Sequence, residues 1–225
     1  MNESKSIKHF SEAAWLIGQI LIALGTVMMV RGDFGVSMVV APAYLISQKI
    51  GLTFGTTEYL FQAVLLAVMC LVIRRFKATY LFAFFTAVVY GAMVDGFTLL
   101  IGLVTWDGML FRATVWVLGM VLVAAGVSFC YHTYLAPEVY ELFVKEVSGA
   151  FGWEIHRFKL FYDGFSCLFG IALSYLFFGE LRGIWFGTAL CALLNGHLIG
   201  YFSRLFEKHI DFSPRFPAMA RWMKI

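Results

Sequence analysis

The sequence predicts an all-α polytopic membrane protein. It has six transmembrane helices as two inverted three-helix repeats, each with a short partial or amphipathic helix after its first span. Three observations predict this fold. Of the 225 residues, 61% are hydrophobic and 14% charged, whereas a soluble domain is near half apolar and a quarter charged. Six apolar segments approach the ~20 residues needed to cross the hydrocarbon. The order span, partial helix, span, span occurs twice along the chain.

The expected spans are Ala13–Val30, Thr57–Ile73, Thr79–Val104, Met109–Tyr131, Leu160–Phe178 and Ile184–Phe202. The polar start, MNESKSIKHFSEAAW, shows no small-residue cleavage site, so the first apolar stretch reads as a retained helix. Residues 1–12 then form a cytoplasmic N-terminus, 13–104 and 105–203 the two membrane repeats, and 204–225 a basic cytoplasmic tail. With the N-terminus inside, thirteen Lys and Arg residues face the cytoplasm and four (Arg31, Lys49, Arg112, Arg182) face outward, the bias expected of cytoplasmic loops. Both termini are therefore expected in the cytoplasm. Trp106 and Trp185 fall at outer ends, and Tyr80, Tyr131 and Tyr201 at inner ends, where amphipathic rings sit.

Two connections are more than loops. The outer one, VSMVVAPAYLISQKIG, is apolar but short and broken by Pro42, which suits a re-entrant or interfacial segment. The inner one, PEVYELFVKEVSGAFG, places Val139, Leu142, Phe143 and Val147 on one helical face and most of its charges elsewhere. This predicts an amphipathic helix on the cytoplasmic surface, opened by Pro137.

Local matches carry the repeat. Ala23-Leu24-Gly25 answers Ala124-Ala125-Gly126, Phe54-Gly55 answers Phe151-Gly152, and Gly91 and Phe97 answer Gly196 and Phe202. Three spans per half is an odd number, so the second half enters from the opposite side. Secondary transporters use this arrangement, with sites near the midplane between the halves.

FGVS (Phe34–Ser37) followed by GLTFGT (Gly51–Thr56) resembles the first half of the YitT/YczE-type bacterial integral membrane proteins. Pro137, Phe151-Gly152, Arg157, Asp163, Gly187-Thr188, Ala192-Leu193-Leu194 and Gly196 resemble the second half, so the likeness spans most of residues 20–202. Met38 departs from the family's Pro after the Ser, and Ala78-Thr79 from its Gly-Thr. The resemblance implies a multi-pass protein of the bacterial inner membrane and implies little about substrate.

Ionisable residues inside a bilayer cost at least ~2.5 kcal/mol on insertion scales and mark candidate sites. Asp95, flanked by Gly91 and Gly96, is the leading candidate for a substrate contact or coupling ion, against a structural bond to a neighbouring helix. Asn195 and His197 in the last span, and Gln19 and Gln62 in the first two, are further candidates for lining the same interior. Asp163 with Lys159 at i−4, and Arg157, suit an interfacial pair or a gate. Arg31 and Asp33 close the first span as a solvated pair, or Arg31 draws anions to a mouth.

Cys70, Cys130, Cys167 and Cys191 form no CxxC pair and read as reduced, buried thiols. No cofactor, metal or nucleic-acid motif stands out. HExxH, GxSxG and nucleotide-binding patterns are missing, which argues against an enzyme. The expected function is a secondary transporter or permease for a small solute, with proton coupling through Asp95 as one option. The alternative is a membrane-embedded substrate-binding or accessory subunit of a larger complex. The expected partners are the lipid bilayer and a small-molecule solute, and a homo-oligomer stays open.

Overall fold

A computed structural model describes residues 10–103 and 108–223, and among these the chain is entirely helical apart from turns and one isolated bridge. The helices are α1 (Ser11–Gly32), α2 (Ala41–Ile50), α3 (Phe54–Ile73), α4 (Tyr80–Ile101), α5 (Met109–Tyr131), α6 (Val139–Phe151), α7 (Ile155–Phe178), α8 (Phe186–His209) and α9 (Pro217–Trp222). The expectations for Lys5, Lys8, Val104, Trp106 and Lys224 lie outside the described residues. Five helices, α1, α3, α4, α5 and α7, are long and apolar enough to cross a membrane. α8 has 24 residues but carries Asn195, His197, Arg204, Glu207 and Lys208 and falls short on hydropathy. It starts at Phe186, two residues later than expected, and runs seven residues past Phe202.

The centre of the fold is the seam between α1 and α5. Gly18, Gly25 and Gly32 recur every seven residues on α1, which keeps them on one face. They meet α5 in antiparallel register, at Gly126, at Gly119 and at Arg112 with Trp116. A Cβ built on Gly25 would sit 2.5 Å from the Gly119 carbonyl oxygen, and one on Gly126 2.6 Å from that of Gly18. Glycine is required here because backbone touches backbone, as small residues permit between membrane helices. Around this pair, α4 packs on α1 and α8 on α5. α3 packs on α2, α4 and α6, while α7 packs on α2 and α6. α3 meets α4 through Gly55 and Gly91. Among the described residues, α7 and α8 do not pack on each other.

The two short helices are wedged into this frame. α2 lies against α7, with Ala41 and Leu45 in a core cluster with Leu173 and Ile184, and Lys49 Nζ donating to the Phe177 carbonyl 3.3 Å away. Gly51 ends α2 and Gly152 ends α6 in the same left-handed conformation, at φ 75° and 68°. This corrects the match of Phe54-Gly55 with Phe151-Gly152, since Gly55 lies inside α3 and Gly152 has the role of Gly51.

The expectation for α6 is also corrected. It is no surface helix: Val139, Tyr140, Leu142, Val144, Val147 and Ser148 are all buried. One side packs on Leu66, Met69 and Ala83, the other on Tyr162. Tyr80 is buried in the bundle, and its hydroxyl donates to Glu146, which also pairs with Lys77 at 3.1 Å. The tail does not lie apart from the bundle. The Glu12 carboxylate accepts from the backbone N–H groups of Arg215 and Phe216, each 3.0 Å away, and from the Tyr134 hydroxyl at 2.7 Å, and Met223 is buried in the core. The start of α1 and the tail therefore occupy the same end of the bundle.

Candidate functional sites

Two polar sites stand out, one open and one closed. The open site is a cavity of about 630 Å³ at the C-terminal end of α1, lined by Arg31, Asp33, Tyr44, Thr53, Asp95 and Arg112 among others. It gathers three of the sequence candidates. Asp95, on α4, holds the first turn of α3. Its Oδ1 accepts from the Gly55 N–H at 2.7 Å, and its Oδ2 accepts from the Thr53 hydroxyl at 2.6 Å and the Thr56 hydroxyl at 3.5 Å. An anion at a helix N-terminus satisfies orphan N–H groups and the positive end of the dipole. The expected pair Arg31–Asp33 is corrected: Asp33 pairs across the seam with Arg112, Nη2 to Oδ2 2.9 Å. That pair is solvent-exposed, while Arg112 Nε also donates to the Gly32 carbonyl at 3.2 Å, so Arg112→Ala is expected to lower stability by about 1–2 kcal/mol, read as a modest melting shift.

The closed site lies halfway along α3, where the tip of α6 enters. Gln62 and Glu58 are fully buried one helical turn apart, and Glu138 precedes the first residue of α6. The Gln62 amide uses three of its four hydrogen-bonding positions. Its oxygen accepts from the Val139 N–H at 3.0 Å, and its nitrogen donates to Glu138 Oε2 at 2.8 Å and to Glu58 Oε1 at 3.4 Å. The Tyr140 hydroxyl donates to Glu58 Oε1 at 2.7 Å. Glu58 Oε2 is buried with no hydrogen-bond partner. No Lys, Arg or His among the described residues forms an ion pair with either carboxyl. Nearby, Tyr90 of α4 donates to Thr26 of α1 at 3.1 Å. Val39, two residues before α2, packs against the buried cluster of Tyr140, Val144 and Tyr162.

Of the sequence candidates, only Gln62 lies in this junction. Gln19 faces α5, with its nitrogen 3.5 Å from Cys130 Sγ and its oxygen unpartnered. His197 is exposed on α8, its Nδ1 3.1 Å from the Leu193 carbonyl, and Asn195 lies one turn from Cys191 with its Oδ1 unpartnered. Lys159 Nζ is 3.4 Å from Asp163 Oδ1, and the exposed Arg157 pairs with Glu154 at 2.7 Å. The four cysteines are free. Sequence reasoning missed Glu58, Glu138 and Tyr140. The available signal was Glu58 one turn before Gln62, which puts a carboxylate and an amide on one face of an apolar span.

The match to a family model covers residues 10–204. This chain belongs to the family of unknown function DUF6198. The DUF6198 chain is similar to the uncharacterized protein YyaS of Bacillus subtilis (strain 168), at 26% identity over 197 residues, which cover 86% of this chain and 92% of the relative. No solved structure matches it.

Proposed function

We propose that this integral membrane protein is a secondary transporter or permease for a small solute in the bacterial inner membrane, working by alternating access between two inverted repeats. The observation that carries the reading is the junction at Gln62, where a short helix ends inside the bundle against a buried polar network. Backbone that is not part of a spanning helix is tolerated at membrane depth where it is buried in protein or lines a site, and broken helices build such sites in transporters.

Six spans are supported by the position of the chain ends. The Phe10 N–H bonds the Asp211 carbonyl at 3.2 Å, and a chain whose ends share one face crosses an even number of times. α8 then serves as the sixth span beside the five more apolar helices. The inverted repeat is supported by register and packing. One offset carries Gly18 onto Gly119, Gly25 onto Gly126 and Gly51 onto Gly152. The pairs α1–α4 and α5–α8 correspond, as do α3–α6 and α7–α2. The likeness to YitT/YczE-type proteins supports the same multi-pass reading. The distribution of Lys and Arg supports termini in the cytoplasm, so the cavity at Arg31 and Asp95 opens outward and the solute enters there. Asp95, Gln62, Gln19, Asn195 and His197 are proposed for solute or ion contact, and Arg31, Asp33, Arg157 and Asp163 for the two mouths. The role is non-enzymatic.

One observation favours a second reading, a membrane-embedded substrate-binding or accessory subunit. α7 and α8 expose Phe161, Phe165, Leu168 and Leu193, a broad apolar face on which another membrane protein has room to dock. One experiment separates the two. A metabolite library is screened by thermal shift on the purified protein, since a ligand stabilises the state it binds. The radiolabelled hit is then offered to proteoliposomes. Accumulation or exchange is expected; a solute that stabilises the protein yet never crosses rejects the transporter reading and favours the binding subunit.

A further inference from the structure

We propose that Glu58 and Glu138, bridged by Gln62, form a proton-binding site that ties the charge of the bundle interior to the seating of α6 on α3. The proposal deepens the transporter reading, on which it depends for the use made of the proton but not for the site itself.

A carboxylate out of water needs a counter-charge, and in membranes such groups pair or neutralise. Here two carboxyls share one amide, and no cation pairs with either among the described residues. The groups facing them do not supply one. They are Tyr90 from α4, Cys130 from α5, Tyr140 and Glu141 from α6, and Tyr162 from α7. Tyrosine and cysteine are neutral near pH 7. Glu141 adds a further acid, and the nearby Lys159 is engaged with Asp163.

The donor set selects a proton over a metal ion. Hard cations want several oxygen lone pairs, about six or more for calcium. The Gln62 oxygen is committed to the Val139 N–H, and what Gln62 and Tyr140 turn toward the carboxyls is N–H and O–H. Among the described residues no three His, Cys, Asp or Glu side chains converge to hold a metal. Glu58 Oε1 already holds both donors, so Oε2, buried and unpartnered, is the oxygen left for the proton.

The step is an acid dissociation: the carboxyl O–H breaks, the electron pair stays on oxygen, and the proton leaves to water on one side of the membrane. Two bare carboxylates then repel across the Gln62 amide. The relief available is withdrawal of Glu138, and with it the Val139 N–H that Gln62 caps, so α6 unseats from α3. Protonation from the other side reseats it.

Infrared spectroscopy of the purified protein in lipid tests the site without a transported solute. The carbonyl band of a protonated carboxylic acid is expected at neutral pH. It should be diminished in Glu58→Gln and in Glu138→Gln and kept in Asp95→Asn. A missing band in the wild type, or one unchanged in both glutamine variants, overturns the proposal. Should either variant fail to fold, labelling of the wild type with a hydrophobic carbodiimide, which requires a protonated carboxyl, is mapped by mass spectrometry. Modification at Glu58 or Glu138 supports the site; modification only elsewhere, or none, rejects it. A band that behaves as expected beside a failed uptake assay rejects the transporter reading and leaves the site standing.

Discussion

Leucine in place of Gly25 is expected to leave little folded protein. The first added atom would lie 2.5 Å from the Gly119 carbonyl oxygen and within 3.0 Å of the Val123 backbone nitrogen, and neither can turn aside because both belong to the α5 backbone. The helices would have to separate along the seam, which also opens the close approaches at Gly18–Gly126 and Gly32–Trp116. Overpacking a core costs about 1–3 kcal/mol where side chains can yield, and occasionally more. Here backbone has to move, so the cost lies at or above the top of that range, against a total stability of order 5–15 kcal/mol. Gly164→Ala in α7 is the control, since a Cβ there meets nothing within 4 Å and alanine favours helix by up to ~1 kcal/mol. Monodisperse yield in detergent and the melting temperature are the readouts. A Gly25→Leu protein that melts like the wild type contradicts the seam.

Asp95→Ala is expected to cost roughly 1–3 kcal/mol, because the buried Gly55 N–H loses its acceptor and an unmet buried donor costs about that much. Asp95→Asn keeps an oxygen for the Gly55 N–H, while the Thr53 hydroxyl can turn toward the open cavity, so its loss is expected nearer ~1 kcal/mol. Stability should therefore fall in the order wild type, asparagine variant, alanine variant. Equal melting of the alanine variant and the wild type would show that α3 does not depend on this carboxylate. Uptake by the asparagine variant addresses the other proposed role. If Asp95→Asn is stable and still transports, coupling lies elsewhere; if it is stable but inactive, coupling returns to Asp95.

The long helices were legible because an apolar run of about twenty residues has few other fates. α1 begins at Ser11, two residues from the expected start, and α5 matches at both ends. What could not be read depends on contacts distant in sequence. Asp33 finds Arg112 rather than its neighbour Arg31, and Glu12 finds the backbone at Arg215. The seven-residue glycine rhythm of α1 is visible in the sequence, but its partner on α5 is not. α6 was misplaced because one apolar stripe suggests one buried side, whereas Tyr140 and Val144 are covered by α3 and α7 as well. Glu58 is hard to single out in the sequence because the surrounding run reads as span, and only the arrival of Glu138 and Tyr140 from α6 gives it company.

The seam between α1 and α5 also limits how the molecule can move. Two rods that touch through bare backbone cannot slide, because a shift of one helical turn brings Ile22 or Val123 to positions that admit only a hydrogen. Nor can they part without losing the backbone contacts that hold α1 to α5. Tilting about the touching points remains, with displacement growing with distance from the axis. The short helices α2 and α6, which among the described residues do not pack on α1 or α5, are then displaced furthest, with the glycines as the pivot.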